Sequence, residues 1–163
     1  MYVCMSTILF SESLKWGLSL TNLKDPYIGD SLKLNLSYIQ KNFIRIFRNI
    51  GKLPLILQLS IHWNIPHLLS CLLAVMNSGF SSKNCMYPLD HFMKLTLISL
   101  EEIVRKIFQD HNIGITVGSD GKDYVQFSKA NFKFQNVKIC HYKIHSIDEA
   151  LSAKNMSDLF YTS

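Results

Sequence analysis

Negative charge is the scarcest feature of this chain. From Ser31 through Leu89 there is no aspartate or glutamate, while Lys33, Lys41, Arg45, Arg48, Lys52 and Lys83 fall inside that window. A basic face of this kind attracts phosphate backbones or acidic proteins. The plainer alternative is a positive bias kept for solubility. Charged residues of both signs amount to 18% of the chain, against the ~25% usual for soluble domains. Hydrophobic residues make up 48%, and that apolar surplus implies a surface that meets a partner or a further part of the same protein.

Paired cysteines are missing too. Cys4, Cys71, Cys85 and Cys140 have no matched spacing, which argues against a disulfide framework and for the reduced thiols of an intracellular protein. The opening residues lack the basic region and cleavage site of a secretory signal. The stretch Leu53–Phe80 holds no formal charge, but Pro54, His62, Asn64, Pro66, His67 and Asn77 interrupt it. Two buried helices fit it better than a membrane span.

Catalytic signatures are also absent. There is no Gly-x-Ser-x-Gly elbow, no phosphate loop and no His-Glu-x-x-His. Gly114, Gly118 and Gly121 have the wrong spacing for a dinucleotide fingerprint. Cys140, His141 and His145 lack the paired spacing of a structural zinc site, and in an extended strand Cys140 and His141 face opposite ways. His62 and His67 flank Pro66 and read as core or helix-end residues. The expectation is a non-enzymatic protein with no metal and no cofactor.

What is present is helical periodicity. Residues 7–21 place Leu9, Leu14 and Leu18 at helical spacing. Asp25-Pro26 starts a second helix with Ile28, Leu32, Leu36 and Ile39 on one side. Asn42–Ile50 is a third, with Phe43, Ile46, Phe47 and Ile50 inward and Arg45 and Arg48 sharing the outer face; Gly51 ends it. Leu53–Asn64 and Pro66–Ser78 are the fourth and fifth. Gly79 and Ser81-Ser82-Lys83-Asn84 form a linker.

The most informative stretch is Tyr87–Phe127. Tyr87-Pro88-Leu89-Asp90 reads as a helix start, with Pro88 in the first turn and Asp90 at the positive end. Leu89, Phe92, Met93 and Leu95 share a face. Ser99 with Glu102 has the spacing of a capping box, ahead of the stripe Ile103, Val104, Ile107 and Phe108. The period then changes. Ile113, Ile115 and Val117 alternate, Ser119-Asp120-Gly121 makes a turn, and Tyr124, Val125 and Phe127 resume extended structure. Helix, helix, hairpin is the order of a winged helix. Phe132 and Phe134 alternate beyond it, and a short helix is predicted from Asp148 to Ala153.

Helical pairs leading into a terminal winged helix also resemble the plan of PCI modules, and in detail the GANP or Sac-three family of mRNA-export scaffolds, including its short members. Glu12-Ser13-Leu14-Lys15-Trp16-Gly17-Leu18 resembles one family helix. Asn42-Phe43-Ile44-Arg45-Ile46-Phe47-Arg48, followed by Leu53-Pro54, resembles the next. Tyr87-Pro88-Leu89-Asp90 is similar to the segment leading into the family's winged helix, and His111-Asn112-Ile113 stands where His-Gly-Leu is common. Val125-Gln126-Phe127 resembles the closing strand. The family often has an Arg pair where His67-Leu68 stand. Its Arg-rich upstream half has no counterpart here, so the chain resembles the second half of the domain.

The resemblance implies a mainly α architecture: an antiparallel helical-repeat, PCI-like stack over 1–80, a winged-helix subdomain with a small β-hairpin over 85–145, and a tail with a short helix over 146–163. It implies a scaffold of nuclear mRNA export at the nuclear pore, with centrosome and spindle work as the family's other branch, in nucleus and cytoplasm. The implied partners are another PCI protein, a small acidic subunit of the proteasome-lid and export complexes, and RNA bound without sequence preference. Candidate nucleic-acid contacts are Lys94, Arg105, Lys106, Lys122, Lys129 and Lys133. Candidate partner contacts are Lys41, Arg45, Arg48 and Lys52. The alternatives are a structural PCI subunit of another complex, or a winged-helix DNA-binding factor, for which only Gln109 is available as a base reader.

Overall fold

A computed structural model describes residues 26–53, 58, 61–62, 64–82, 85–135 and 137. The expected helix at 7–21, most of the fourth helix, Lys83, the Cys140, His141 and His145 group and the 146–163 tail lie outside the described residues. The chain divides into two compact units, with Ile65 and Pro66 at the boundary. The described part is mainly helical, with five helices and one three-stranded antiparallel sheet among the described residues.

In the first unit, helix α1 (Pro26–Ile39) begins on Pro26, whose fixed φ suits a first helical position. Its buried line runs through Ile28, Ser31, Leu34 and Asn35. This corrects the expected line through Leu32, Leu36 and Ile39, of which Leu36 is 43% and Ile39 47% exposed. Both lines have helical spacing. Ser31 and Ser37 are small enough to be enclosed, and Ser37 returns its hydroxyl proton to the Lys33 carbonyl at 2.8 Å. Counting apolar residues alone favours the other stripe.

Lys41 adopts φ 55° between the helices. The Asn42 N–H reaches the Ser37 carbonyl at 2.8 Å and the Lys41 N–H reaches that of Tyr38 at 2.9 Å. This is a Schellman closure of α1. Asn42 then caps α2 (Phe43–Ile50), its side chain accepting the Arg45 N–H. Phe43, Ile46, Phe47 and Ile50 are all buried, as their spacing predicts, and Tyr38 meets the Phe43 ring edge-on at 5.8 Å.

The second unit begins within helix α3 (Ile65–Gly79). Leu68, Leu69, Leu72, Leu73 and Met76 form its buried stripe. Buried Ser70 donates to the Pro66 carbonyl and accepts the Val137 N–H at 3.0 Å. Among the described residues no helix is long and apolar enough to cross a membrane.

After Phe80, strand β1 (Tyr87–Pro88) precedes helix α4 (Leu89–Thr96), and α5 (Glu101–Asp110) follows. Strands β2 (Gly114–Val117) and β3 (Asp123–Gln126) close the unit, in sheet order β1-β3-β2. Here the structure adds a strand where the sequence suggested only a helix start. Pro88 is extended and pairs with Tyr124, so it precedes α4 instead of sitting in its first turn. Proline is tolerated there because β1 lies at the sheet edge. The capping box does not form. Leu100 is the N-cap of α5 without a side-chain bond, and Ser99 is exposed. The Ile103 and Val104 amides bond the Leu100 carbonyl, one residue later than predicted, while Ile98 is buried just before. Glu101 and Glu102 still place negative charge at the helix start.

The core of this part is Leu89, Phe92, Val104, Ile107, Phe108, Ile113, Val125 and Phe127, with the Phe92 and Phe108 rings 4.8 Å apart. Residues 132–135 do not form a strand; Phe132 is half-buried and Phe134 exposed. They are bound instead to the C-terminal end of α5. The Lys133 N–H reaches the His111 carbonyl at 3.1 Å, and Phe132 stacks on the His111 ring.

Candidate interaction surfaces

The first surface belongs to α1, α2 and the turn after α2. Because α2 buries Phe43, Ile46, Phe47 and Ile50 on one side, Arg45 and Arg48 are left together on the other. Lys52 follows one turn on. They line a cleft of about 640 Å³ that also takes in Lys33 and Asp30 of α1, floored by Leu34, Ile44 and Leu53. Lys33 pairs with Asp30 at 2.9 Å. Among the described residues no carboxylate pairs with Arg45, Arg48 or Lys52. Lys41 is exposed in the preceding turn and is not part of the cleft wall. Sequence reasoning picked out Arg45, Arg48 and Lys52 but did not count Lys33. The signal for it was the acid-free window, which contains Lys33, with Asp30 standing just before the window on the same helix.

The second surface is the N-terminal end of α5 with the β2–β3 hairpin. Arg105 bonds Glu101 one turn back at 2.6 and 2.7 Å, and its guanidinium also holds the Asp123 carboxylate at the start of β3. The hydrogen bond to Glu101, with the Asp123 charge behind it, raises the Arg105 pKa against the opposing effect of partial desolvation. Lys122 is exposed at the hairpin turn and borders a cleft of about 320 Å³ with Asp90, Glu101, Asp123, Leu89 and Met93. Lys94 lies 3.8 Å from Asp90. Lys94, Arg105 and Lys122 are therefore interleaved with three carboxylates. Lys106 is exposed on α5. Lys129 and Lys133, also exposed, are not brought to this end, because the 128–135 segment is bound at the other end of the helix.

The hairpin carries its own lock, which the sequence reading passed over. Asp120 accepts the Lys122 N–H at 3.2 Å and the Tyr124 hydroxyl at 3.0 Å. The backbone bond first, then the tyrosine hydroxyl, hold the Asp120 carboxyl below the usual carboxylate range. The same bond to Asp120 raises the Tyr124 pKa. A second overlooked residue is His111. It is fully buried, with Nδ1 2.8 Å from the Ile107 carbonyl and Nε2 3.1 Å from that of Gln135. Among the described residues no cluster of metal-ligating side chains occurs.

These features define a mainly helical protein whose described cations sit on exposed helix faces and turns. The SAC3/GANP family model matches residues 10–117, from ahead of α1 to the end of β2, and the chain belongs to that family. It is a family of scaffold type, associated with the nucleus and nuclear pore. Comparison with curated proteins and with solved structures found no match.

Proposed function

We propose that the chain is a non-enzymatic docking scaffold of nuclear mRNA export, built from a PCI-like helical part and a winged helix. The family membership supports the process. One structural observation supports the winged helix: the order α3-β1-α4-α5-β2-β3 with β3 central in the sheet. In that reading α3 is the module's first helix, α5 its recognition helix and residues 118–122 its wing. The bond from Val137 to Ser70 agrees with α3 belonging to the same unit. The docking partners are a second PCI protein and its small acidic subunit.

RNA contact, in this reading, is non-specific and rests on Lys106, Lys122, Lys129 and Lys133, since Arg105 is occupied by two carboxylates. Phosphate contacts of this sort position a strand without reading its sequence. The test is co-purification of the full chain with a purified PCI export subunit and its acidic partner, beside RNA titration at low salt. A stable complex is the expected result. No complex and no RNA binding would remove this reading.

A further inference from the structure

We propose that the cleft between α1 and α2 binds a linear acidic peptide segment in which carboxylates alternate with aliphatic side chains. The inference rests on the scaffold reading only in taking the occupant to be a protein. Three observations carry it. First, among the described residues the cleft is cationic and uncompensated. Arg45, Arg48 and Lys52 line it, Asp30, the one acidic residue described there, is already joined to Lys33, and no acidic residue occurs in the sequence between Ser31 and Leu89. Neighbouring arginines offer paired N–H donors that match carboxylates.

Second, the floor is aliphatic. Leu34 and Leu53 are buried and Ile44 is half-buried beneath the cationic rim. An occupant must bring apolar side chains along with its negative charge. Third, among the described residues no aromatic lines the cleft. Single-stranded nucleic acid is held by base stacking on aromatic rings along a basic track, and this cleft offers the charge without the platform. A volume of about 640 Å³ lies within the range of pockets that enclose a ligand.

The test is fluorescence anisotropy on the full chain with two labelled peptides, one of alternating glutamate and leucine and one with glutamine replacing every glutamate. A uridine oligonucleotide serves as the nucleic-acid arm. The glutamate peptide should bind, more weakly as salt rises, and the glutamine peptide at least about tenfold more weakly. The exposed pair Arg45→Glu and Arg48→Glu should abolish binding of the glutamate peptide, while Lys106→Glu with Lys122→Glu should leave it unchanged. The comparison of the two peptides needs no variant, so it stands even if a variant misfolds. Equal binding of both peptides would overturn the proposal. So would binding indifferent to Arg45 and Arg48, or oligonucleotide binding that depends on those arginines while the peptide fails. Arg45-dependent peptide binding supports the proposal whether or not a PCI partner is captured, so the two readings fail separately.

Discussion

Arg105 and Asp123 join helix α5 to the first residue of β3, eighteen positions further along the chain. Glu101 completes the arrangement from the same helix. The hairpin is thereby fixed against α5. The guanidinium at the centre is already neutralised.

This gives two expectations for one pair. Asp123→Asn should lower stability by no more than about 1 kcal/mol in urea denaturation, because the pair is partly exposed, and the loss should shrink at high salt. In RNA titrations, Arg105→Ala should leave the dependence of log affinity on log salt nearly unchanged. Lys106→Ala should reduce that slope by about 0.7 for a single strand.

Gly118 is constrained by its surroundings. A β-carbon there would lie 2.6 Å from the Tyr124 ring and 2.8 Å from the Asp120 carboxylate. Both belong to the hairpin lock. Gly118→Ala should destabilise the chain by about 1–3 kcal/mol, and NMR should show the change confined to 115–125. An unshifted Tyr124 resonance would contradict it.

The lock also predicts a pH window. The Asp120 carboxyl has a lowered pKa in the folded chain, so its stabilisation is present above the ordinary aspartate value and is lost as pH falls through the lowered one. Tyr124 has a raised pKa; its share is present below the ordinary tyrosine value and is lost as pH climbs through the raised one. Hairpin amide shifts followed by pH titration should depart at both ends in the wild type. In Asp120→Asn the acid-side departure should vanish.

His111 shows what the sequence made legible and what it did not. In the sequence, His111-Asn112-Ile113 stands out only as a segment placed where a His-Gly-Leu is common in the family it resembles. The structure supplies the reasons. Asn112 takes φ 54° and closes α5, with the Ile113 N–H on the Phe108 carbonyl; asparagine tolerates this better than most residues other than glycine. The imidazole spans from Ile107 to Gln135, a contact twenty-four residues long, and no local pattern announces a bond of that reach. His111→Phe keeps the stack on Phe132 but removes the ring nitrogens that face the Ile107 and Gln135 carbonyls, of which the Ile107 carbonyl keeps the His111 backbone N–H. It should cost about 1–3 kcal/mol in chemical denaturation, with faster hydrogen exchange at the Lys133 amide.

Helix existence and the α2 face were legible because their signals are local: one stripe of four large apolar residues, closed by Gly51. The α1 face was not, because Ser31 and Asn35 are buried by tertiary packing. Strand β1 escaped notice because two residues cannot show a period, and its partner lies beyond both α4 and α5. Arg45, Arg48 and Lys52 could be grouped from spacing alone. Lys33 shares their acid-free window, and the fold brings it to their cleft.

Lys41 sits in the left-handed region without being a glycine. Lys41→Gly should raise stability by up to about 1 kcal/mol. Because Lys41 stands outside the cleft wall, the gain should come with acidic-peptide affinity unaltered, both measured on the same preparation.

The central place of β3 has a further result for handling the protein. Strand β2 bonds β3 on one side, and among the described residues nothing pairs with its other rim. That rim ends in Val117, 71% exposed, and the strand Gly-Ile-Thr-Val holds neither lysine nor proline to blunt it. In concentrated stocks, pairing between molecules is expected to begin here. A gatekeeping charge, Val117→Lys, should then lower the aggregate fraction seen by light scattering.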